Sequence, residues 1–208
     1  RTKSELNRMI ESSPKNYINR LGSECRYPHH SSKIYKTGET DHDREIANRI
    51  DEVAAGLKGL LFLRTITVTL WYGETTNADL FVERSLKAAR SLALYNIRSM
   101  LRSSRGALVE HIEGTERALE FIGIPAGKLS LQKSGNVCHT LRNHAESLPQ
   151  LPAVSSNKPS LHFPDWLTNP ELYRKACEEE VALYERIAEL TKSMSSSRER
   201  KKAETIGT

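Results

Sequence analysis

Five basic residues recur along one predicted helix at a spacing that places them on a single face. At about 100° per residue, Arg84, Lys87, Arg98, Arg102 and Arg105 fall within a sector of about 60°. The apolar residues of the same helix lie on the opposite side. The stripe is about 32 Å long, close to one turn of a nucleic-acid duplex or several nucleotides of a single strand. Four of the five cations are arginines, whose guanidinium groups fork onto phosphate oxygens. The pattern predicts a binding site for a polyanion.

A second interpretation of this stripe is the ordinary solvent-exposed face of an amphipathic helix. Such faces usually carry both signs of charge, with acidic and basic residues paired three or four positions apart. Here no acidic residue lies within the sector, and Asp79 and Glu83 fall to its side. The sequence leaves both interpretations open.

Two further basic segments fit the same ligand. In a predicted loop, Arg26, Lys33 and Lys36 are interleaved with Tyr27 and Tyr35, a mixture suited to phosphate contact and base stacking. The C-terminal tail carries basic residues at 198, 200, 201 and 202, which is typical of a nucleic-acid-binding arm. The basic residues of either segment alone are also consistent with charges that only keep the protein soluble. We expect nucleic acid as the partner, with RNA favoured over DNA.

Arg105 and His111 stand in the spacing R-x5-H. This spacing resembles the RNA-cleaving motif of the HEPN-domain ribonucleases, which are all-helical, and the resemblance covers these two residues only. It implies a metal-independent ribonuclease in which the two side chains meet at a dimer cleft. That family usually has a polar residue directly after the Arg, whereas this chain has Gly106. On one continuous helix the two residues differ by about 240°, so only a kink or a dimer would bring them together.

The residue patterns that could indicate metal binding or a reactive thiol are weaker than the basic stripe. His42 and Asp43 form an HD doublet that resembles the one in metal-dependent phosphohydrolases, but no pattern marks the further His and Asp ligands that such a site needs. Cys25, Cys138 and Cys177 form no CxxC pair, so we expect free thiols. We therefore expect no metal, no cofactor and no catalytic residue.

Helical periodicity indicates a mainly α-helical fold, a helical bundle body with long loops. Apolar residues follow one another at intervals of four and three from Ile46 to Leu60, after a cap at Thr40 or Asp41. Residues 59–72 fit either a helix or a strand, and we favour a buried helix. Further helices are predicted for residues 78–103, 107–122, 137–145 and 170–194.

The chain organisation is predicted from its proline and charge content. Residues 1–148 form the helical body, and residues 149–168 form a Pro-rich linker. Residues 169–194 form a C-terminal helix, whose amphipathic pattern suits either docking on a neighbouring subunit, which we predict, or packing on its own domain. Residues 195–208 are rich in Ser, Lys and Arg, and we expect a disordered basic tail.

Composition bounds the class of protein. Lys and Arg number 31 against 26 for Asp and Glu, a mild excess that permits an acidic partner. No apolar run reaches the roughly 18–20 residues that cross a bilayer, and the first residues show no signal-peptide pattern. We expect a soluble protein of a reducing compartment, the cytoplasm or nucleus. The preferred function is non-enzymatic nucleic-acid binding by a self-associating, nucleoprotein- or capsid-like chain. The alternatives are a HEPN-like ribonuclease and a helical scaffold or adaptor that binds no nucleic acid.

Overall fold

The computed structural model describes residues 3–26, 36, 38–63, 78–125, 136–148 and 163–206, with the backbone alone for residues 78–81 and 206. Within these ranges the chain is mainly α-helical, as predicted, with 3-10 turns at Pro14–Tyr17 and Leu60–Phe62. The α-helices are α1 (Lys3–Ser12), α2 (Asp41–Ala54), α3 (Ala78–Ser103), α4 (Arg105–Glu113), α5 (Thr115–Phe121), α6 (Val137–His144), α7 (Asp165–Thr168), α8 (Pro170–Ser193) and α9 (Ser197–Ile206).

The chain divides into two compact units, residues 1–36 and 37–208, a boundary that we did not predict. In the first unit, α1 and a 3-10 turn lead into a chain reversal. Ile18 and Glu24 form an antiparallel bridge across the reversal. Asn19 stabilises the turn because its side-chain oxygen accepts two backbone hydrogen bonds within it.

The second unit is built around α8, which packs against α2, α4, α6 and α7. The helix begins as its sequence predicts: the Asn169 side chain accepts hydrogen bonds from two backbone N–H groups, and Pro170 occupies the first position. Tyr173 and Tyr184 on its apolar face are fully buried in the core. The expectation that this face docks on a neighbouring subunit is therefore wrong, because the helix's own chain covers it.

A buried carboxylate connects α8 to the segment that follows α2. The side-chain oxygens of Glu180 accept hydrogen bonds from the backbone N–H groups of Lys58, Gly59 and Leu60 at 2.8, 3.1 and 2.9 Å. Gly59 has a φ of +79°, and a Cβ atom on it would lie 2.4 Å from the backbone of Ala89 on α3. Only glycine satisfies both constraints. These contacts hold α3 close to the turn that α8 positions.

The predicted helix over residues 107–122 is two helices, α4 and α5. Gly114 separates them with a φ of +97° and a ψ of 170°, a conformation outside the helical region. The start of α4 also differs from the prediction. Ser104 caps it, because its hydroxyl accepts a hydrogen bond from the N–H of Ala107 at 3.0 Å. Arg105 is therefore the first residue of α4 and does not continue α3.

Most of the predicted disordered tail forms a helix in the structure, α9. The disorder prediction came from its low apolar content, which cannot build a core. Charged contacts with the ends of α3 and α4 hold it instead, as described below. A polar segment can therefore be ordered when its partners are unsatisfied backbone groups elsewhere in the fold.

Two predicted segments of the second unit fall partly on residues outside the described ranges. Of the ambiguous residues 59–72, the described part, up to Leu63, contains a 3-10 turn. Of the predicted linker, residues 149–162 lie outside the described ranges, and the remainder includes α7. Among the described residues, no helix is both long enough and apolar enough to span a membrane.

Candidate nucleic-acid interface

The long helix α3 has one face in the core and the other in solvent. Val82, Ala89, Ala93 and Ile97 are buried, as their spacing predicts. Burial of this apolar face sets the direction of the other side chains on the helix, because successive residues are rotated by about 100° around its axis. The predicted basic sector therefore points outward, which is the first requirement for a binding surface.

Three of the five predicted cations form what we call the α3 stripe: Arg84, Lys87 and Arg102. All three are exposed. Within the described part of the chain, no ion pair involves any of them. From Arg84 to Arg102 the stripe covers about 27 Å along the helix axis. It presents positive charge of a single sign to solvent.

Arg98, the fourth predicted cation, is exposed but paired. Its Nε and Nη2 atoms donate hydrogen bonds to the two carboxylate oxygens of Asp51 on α2, at 3.1 and 2.9 Å. The hydrogen bond and charge of Asp51 raise the pKa of the Arg98 guanidinium. Arg98 thus lies inside the predicted sector, between Lys87 and Arg102, with a carboxylate beside it.

Arg105, the fifth predicted cation, is not part of the stripe. It begins α4, and its side chain is only 18% exposed. Its guanidinium donates to Glu199 on α9 and to the carbonyl oxygen of Met194, and it stacks over the ring of Phe121 at 5.1 Å. The prediction of Arg105 as a ligand-binding residue is therefore corrected: this side chain holds helices together.

Helix α9 is attached at the junction between α3 and α4 through charged side chains. Lys202 donates to the carbonyl oxygens of Arg102 and Ser103 at 2.9 and 2.7 Å, and Arg198 donates to that of Leu101 at 2.6 Å. These carbonyls belong to the last turn of α3, where backbone acceptors are unpaired and the helix dipole is negative. The two cations therefore cap the C-terminus of α3.

The same helix caps the N-terminus of α4. The carboxylate of Glu199 accepts a hydrogen bond from the backbone N–H of Arg105 at 2.8 Å, where the helix dipole is positive. A helix that carries both signs of charge thus contacts both helix ends at one junction. The basic residues of α9 were predicted to form a free arm, but the helix lies beside the end of the α3 stripe. With four basic and two acidic residues, α9 adds a net charge of +2 there.

We did not predict the involvement of Tyr95, although the residue spacing contains the signal. Counting about 100° per residue from Arg84, Tyr95 lies at about 20°, next to the cationic sector. Its side chain is 64% exposed, and Leu92, one turn earlier, is 48% exposed. An aromatic ring thus stands in solvent among the cations of the stripe.

The predicted basic loop is only partly described. Arg26 is exposed and pairs with Glu24 at 3.0 Å and with Glu11 at 3.8 Å, and these pairs neutralise its charge. Lys36 is exposed. Lys33 and the two tyrosines of this loop lie outside the described residues. These positions belong to the first unit or its boundary, and their role in binding stays a prediction.

The R-x5-H pair does not come together within one chain. Arg105 and His111 lie on the same helix, α4, about 240° apart around its axis. Arg105 is engaged by Glu199, as described above. His111 is partly buried, its Nε2 atom has no hydrogen-bond partner among the described residues, and burial lowers the pKa of its imidazole. Neither side chain is placed to act on a common phosphate in the single chain.

The HD doublet has a structural role through Asp43. This residue is 3% exposed, and it completes the capping box of α2 with Thr40. Its carboxylate also accepts hydrogen bonds from the backbone N–H and the hydroxyl of Ser195, at 2.8 and 2.7 Å. Burial alone would raise the pKa of Asp43, but these hydrogen bonds outweigh it and lower the pKa to about 2. Both oxygens are thus occupied by protein donors.

The remaining candidate ligands are dispersed or inert. Among the residues that the structure describes, no three His, Cys, Asp or Glu side chains form a cluster able to hold a metal ion. Cys25, Cys138 and Cys177 are free thiols. Burial raises the pKa of both Cys138 and Cys177 to about 11, so neither forms a reactive thiolate near neutral pH.

Comparisons of the chain with models of protein families, with curated proteins and with solved structures found no significant match.

Proposed function

We propose that this protein binds nucleic acid, without catalysing a reaction, through the α3 stripe and the adjoining surface of α9. The observation that carries the proposal is the alignment of Arg84, Lys87 and Arg102 in solvent, with no carboxylate partner among the described residues. A nucleic-acid backbone offers phosphates in a row, and each phosphate contact releases condensed counterions. RNA is the favoured ligand, as in the sequence-based prediction.

A comparison within the same chain argues against an ordinary charged helix face. The exposed side of α8 carries both signs: Arg186 pairs with Glu189 one turn later, and Glu185 pairs with Arg142 on α6. The α3 stripe carries one sign only. Arg84 and Lys87 lie one turn apart, and like charges at that spacing destabilise a helix by roughly 0.2–0.5 kcal/mol. A polyanionic ligand relieves that repulsion, whereas solvent only screens it.

The α9 helix increases the positive potential at one end of the stripe. The Nζ atom of Lys202 caps α3, and Arg200 is exposed on the opposite face of α9. Together Lys202 and Arg102 place two cations near the C-terminal end of α3. We therefore expect the strongest phosphate contacts at this end and a ligand path that runs back toward Arg84.

The test is equilibrium binding of a fluorescently labelled 20-nucleotide RNA, measured by anisotropy over a series of salt concentrations. With three to four phosphate contacts, log K should fall against log salt with a slope of about −2 to −3. Changing Arg84, Lys87 and Arg102 together to Glu should abolish binding. The far-UV circular dichroism should be unchanged, because all three side chains are exposed.

A matched variant separates the stripe from net charge. Arg117, Arg174 and Arg186 are exposed on α5 and α8, and changing them to Glu alters the net charge by the same amount. This control should keep most of the affinity. Equal loss in both triple variants would show that only net charge matters and would contradict the proposal. A wild-type protein that binds no RNA at low salt would favour the scaffold alternative.

Self-association stays a prediction, and the proposed binding does not depend on it. The sequence argument for it used the apolar face of α8, which is buried in the second unit. Light scattering with and without RNA would measure whether the chain assembles on its ligand, as the nucleoprotein-like hypothesis expects.

A further inference from the structure

The aromatic ring of Tyr95 is open to solvent at the edge of the cationic sector. Its side chain is 64% exposed. Single exposed apolar side chains are common and carry no argument by themselves. Tyr95 differs because it lies between two cations of the stripe. Lys87 is about 12 Å before it along the helix axis, and Arg102 is about 10 Å after it.

Three of the residues around Tyr95 on the helix surface are small. Ser91 and Ser99 lie one turn before and one turn after it, and Ala88 lies two turns before it. None of them is long enough to fold over the ring. On the side away from Ser91, about 60° around the axis, Leu92 is 48% exposed and adds apolar surface next to the ring. The stripe therefore contains a small apolar platform bordered by cations.

Arg98 is the one long cation within a turn of Tyr95, and it is directed elsewhere. Its guanidinium is held by both carboxylate oxygens of Asp51. Where side chains are described, the cation–ring contact that occurs is that of Arg105 with Phe121, and none involves Tyr95. The face of the Tyr95 ring is thus not occupied by a guanidinium from its own helix.

We propose that the ligand is single-stranded nucleic acid, with one base stacked on Tyr95 and phosphates further along the strand in each direction held by Lys87 and Arg102. This inference rests on the proposed function. The faces of bases in a duplex are covered by neighbouring base pairs, so a flat ring on a helix surface has nothing to stack on there. In a single strand every base has an open π-face, and stacking on an aromatic side chain tolerates any sequence.

The test uses four probes of equal length at one salt concentration. They are single-stranded RNA, single-stranded DNA, blunt duplex RNA, and an abasic strand that keeps the phosphates and lacks the bases. Wild-type protein should bind the two single strands more tightly than the duplex or the abasic strand. A difference between the RNA and DNA strands would assign the sugar preference.

The deciding variant is Tyr95→Ala, with Tyr95→Phe as its matched control. Tyr95→Ala should weaken single-strand binding about 5- to 100-fold, the range for one stacked base. It should leave the abasic strand, the duplex and the salt slope unchanged. Tyr95→Phe keeps the ring and should retain single-strand affinity. Both substitutions are at an exposed helix position, where Ala favours the helix, so both variants should fold.

The outcomes separate this inference from the proposed function. If all four probes bind through the cations but Tyr95→Ala has no effect, the stacking inference is overturned and the proposed function stands. If Tyr95→Ala weakens all four probes equally, its effect is not stacking, and the inference also fails. If no probe binds even at low salt, both proposals are overturned.

Discussion

The carboxylate of Asp51 on α2 holds the guanidinium of Arg98 on α3 by two hydrogen bonds, at 3.1 and 2.9 Å. Both side chains are about half exposed, so the pair contributes little to stability, on the order of 0–1 kcal/mol. Its larger effect is electrostatic. Asp51 places a negative charge beside the α3 stripe and occupies the fork that a phosphate would use.

Asp51→Asn should therefore strengthen RNA binding. Removal of the carboxylate charge frees Arg98 for a phosphate, and we expect affinity to rise about two- to fivefold. One more phosphate contact should also steepen the salt slope by about 0.7–0.9. The control is Glu185→Gln, which breaks a comparable pair with Arg142 away from the stripe and should leave binding unchanged. Unchanged affinity in Asp51→Asn would argue that Arg98 is outside the ligand path.

Deletion of residues 197–208 distinguishes a docked helix from a free arm. Because α9 caps α3 and α4, its removal should reduce the helical ellipticity and lower the free energy of unfolding by about 1–3 kcal/mol. A disordered tail would cause neither change. The body should stay folded, because the described side chains of α9 include no core residue. Circular dichroism and urea unfolding of the two chains measure both quantities.

Glu180 should be among the most sensitive positions for stability. Its side chain is 1% exposed and satisfies three backbone N–H groups of the segment Lys58–Leu60. Glu180→Ala leaves these donors without partners and creates a cavity, so we expect a loss of about 3–5 kcal/mol. Glu179→Ala, at the next residue, removes only an exposed pair with Lys58 and should cost less than about 1 kcal/mol. Similar losses in the two variants would show that the buried hydrogen bonds contribute little.

Asp43 should make stability depend on pH in the acidic range. Its pKa is lowered from 3.8 to about 2 in the folded chain, so the folded state favours the carboxylate. The resulting stabilisation, about 2 kcal/mol, is present above the unfolded pKa near 4 and is lost as the pH falls toward 2. Urea unfolding of wild type and Asp43→Asn should therefore differ at pH 6, and the difference should shrink by pH 3. A constant difference would contradict the lowered pKa.

The sequence by itself determined several of the helices, α2, α3, α6 and α8, and the apolar face of α3. Caps such as Thr40 and Asn169 act on backbone groups within three residues, so neighbouring residues suffice to recognise them. The burial of Val82, Ala93 and Ile97 on α3 follows from helical periodicity in the same way. The outward direction of the basic sector, and therefore the place of the candidate site, was predictable on these grounds.

Only the tertiary structure decided which cations remain available to a ligand. Arg98 meets Asp51 from 47 residues away, and Arg105 meets Glu199 from 94 residues away. A side-chain charge is set in the sequence, but its partner depends on which helices pack together. The same reason explains α9, which folds because α3 and α4 end beside it with unsatisfied carbonyl and N–H groups. Local spacing carries no information about those long-range partners, because they come from the burial of apolar faces across the whole unit.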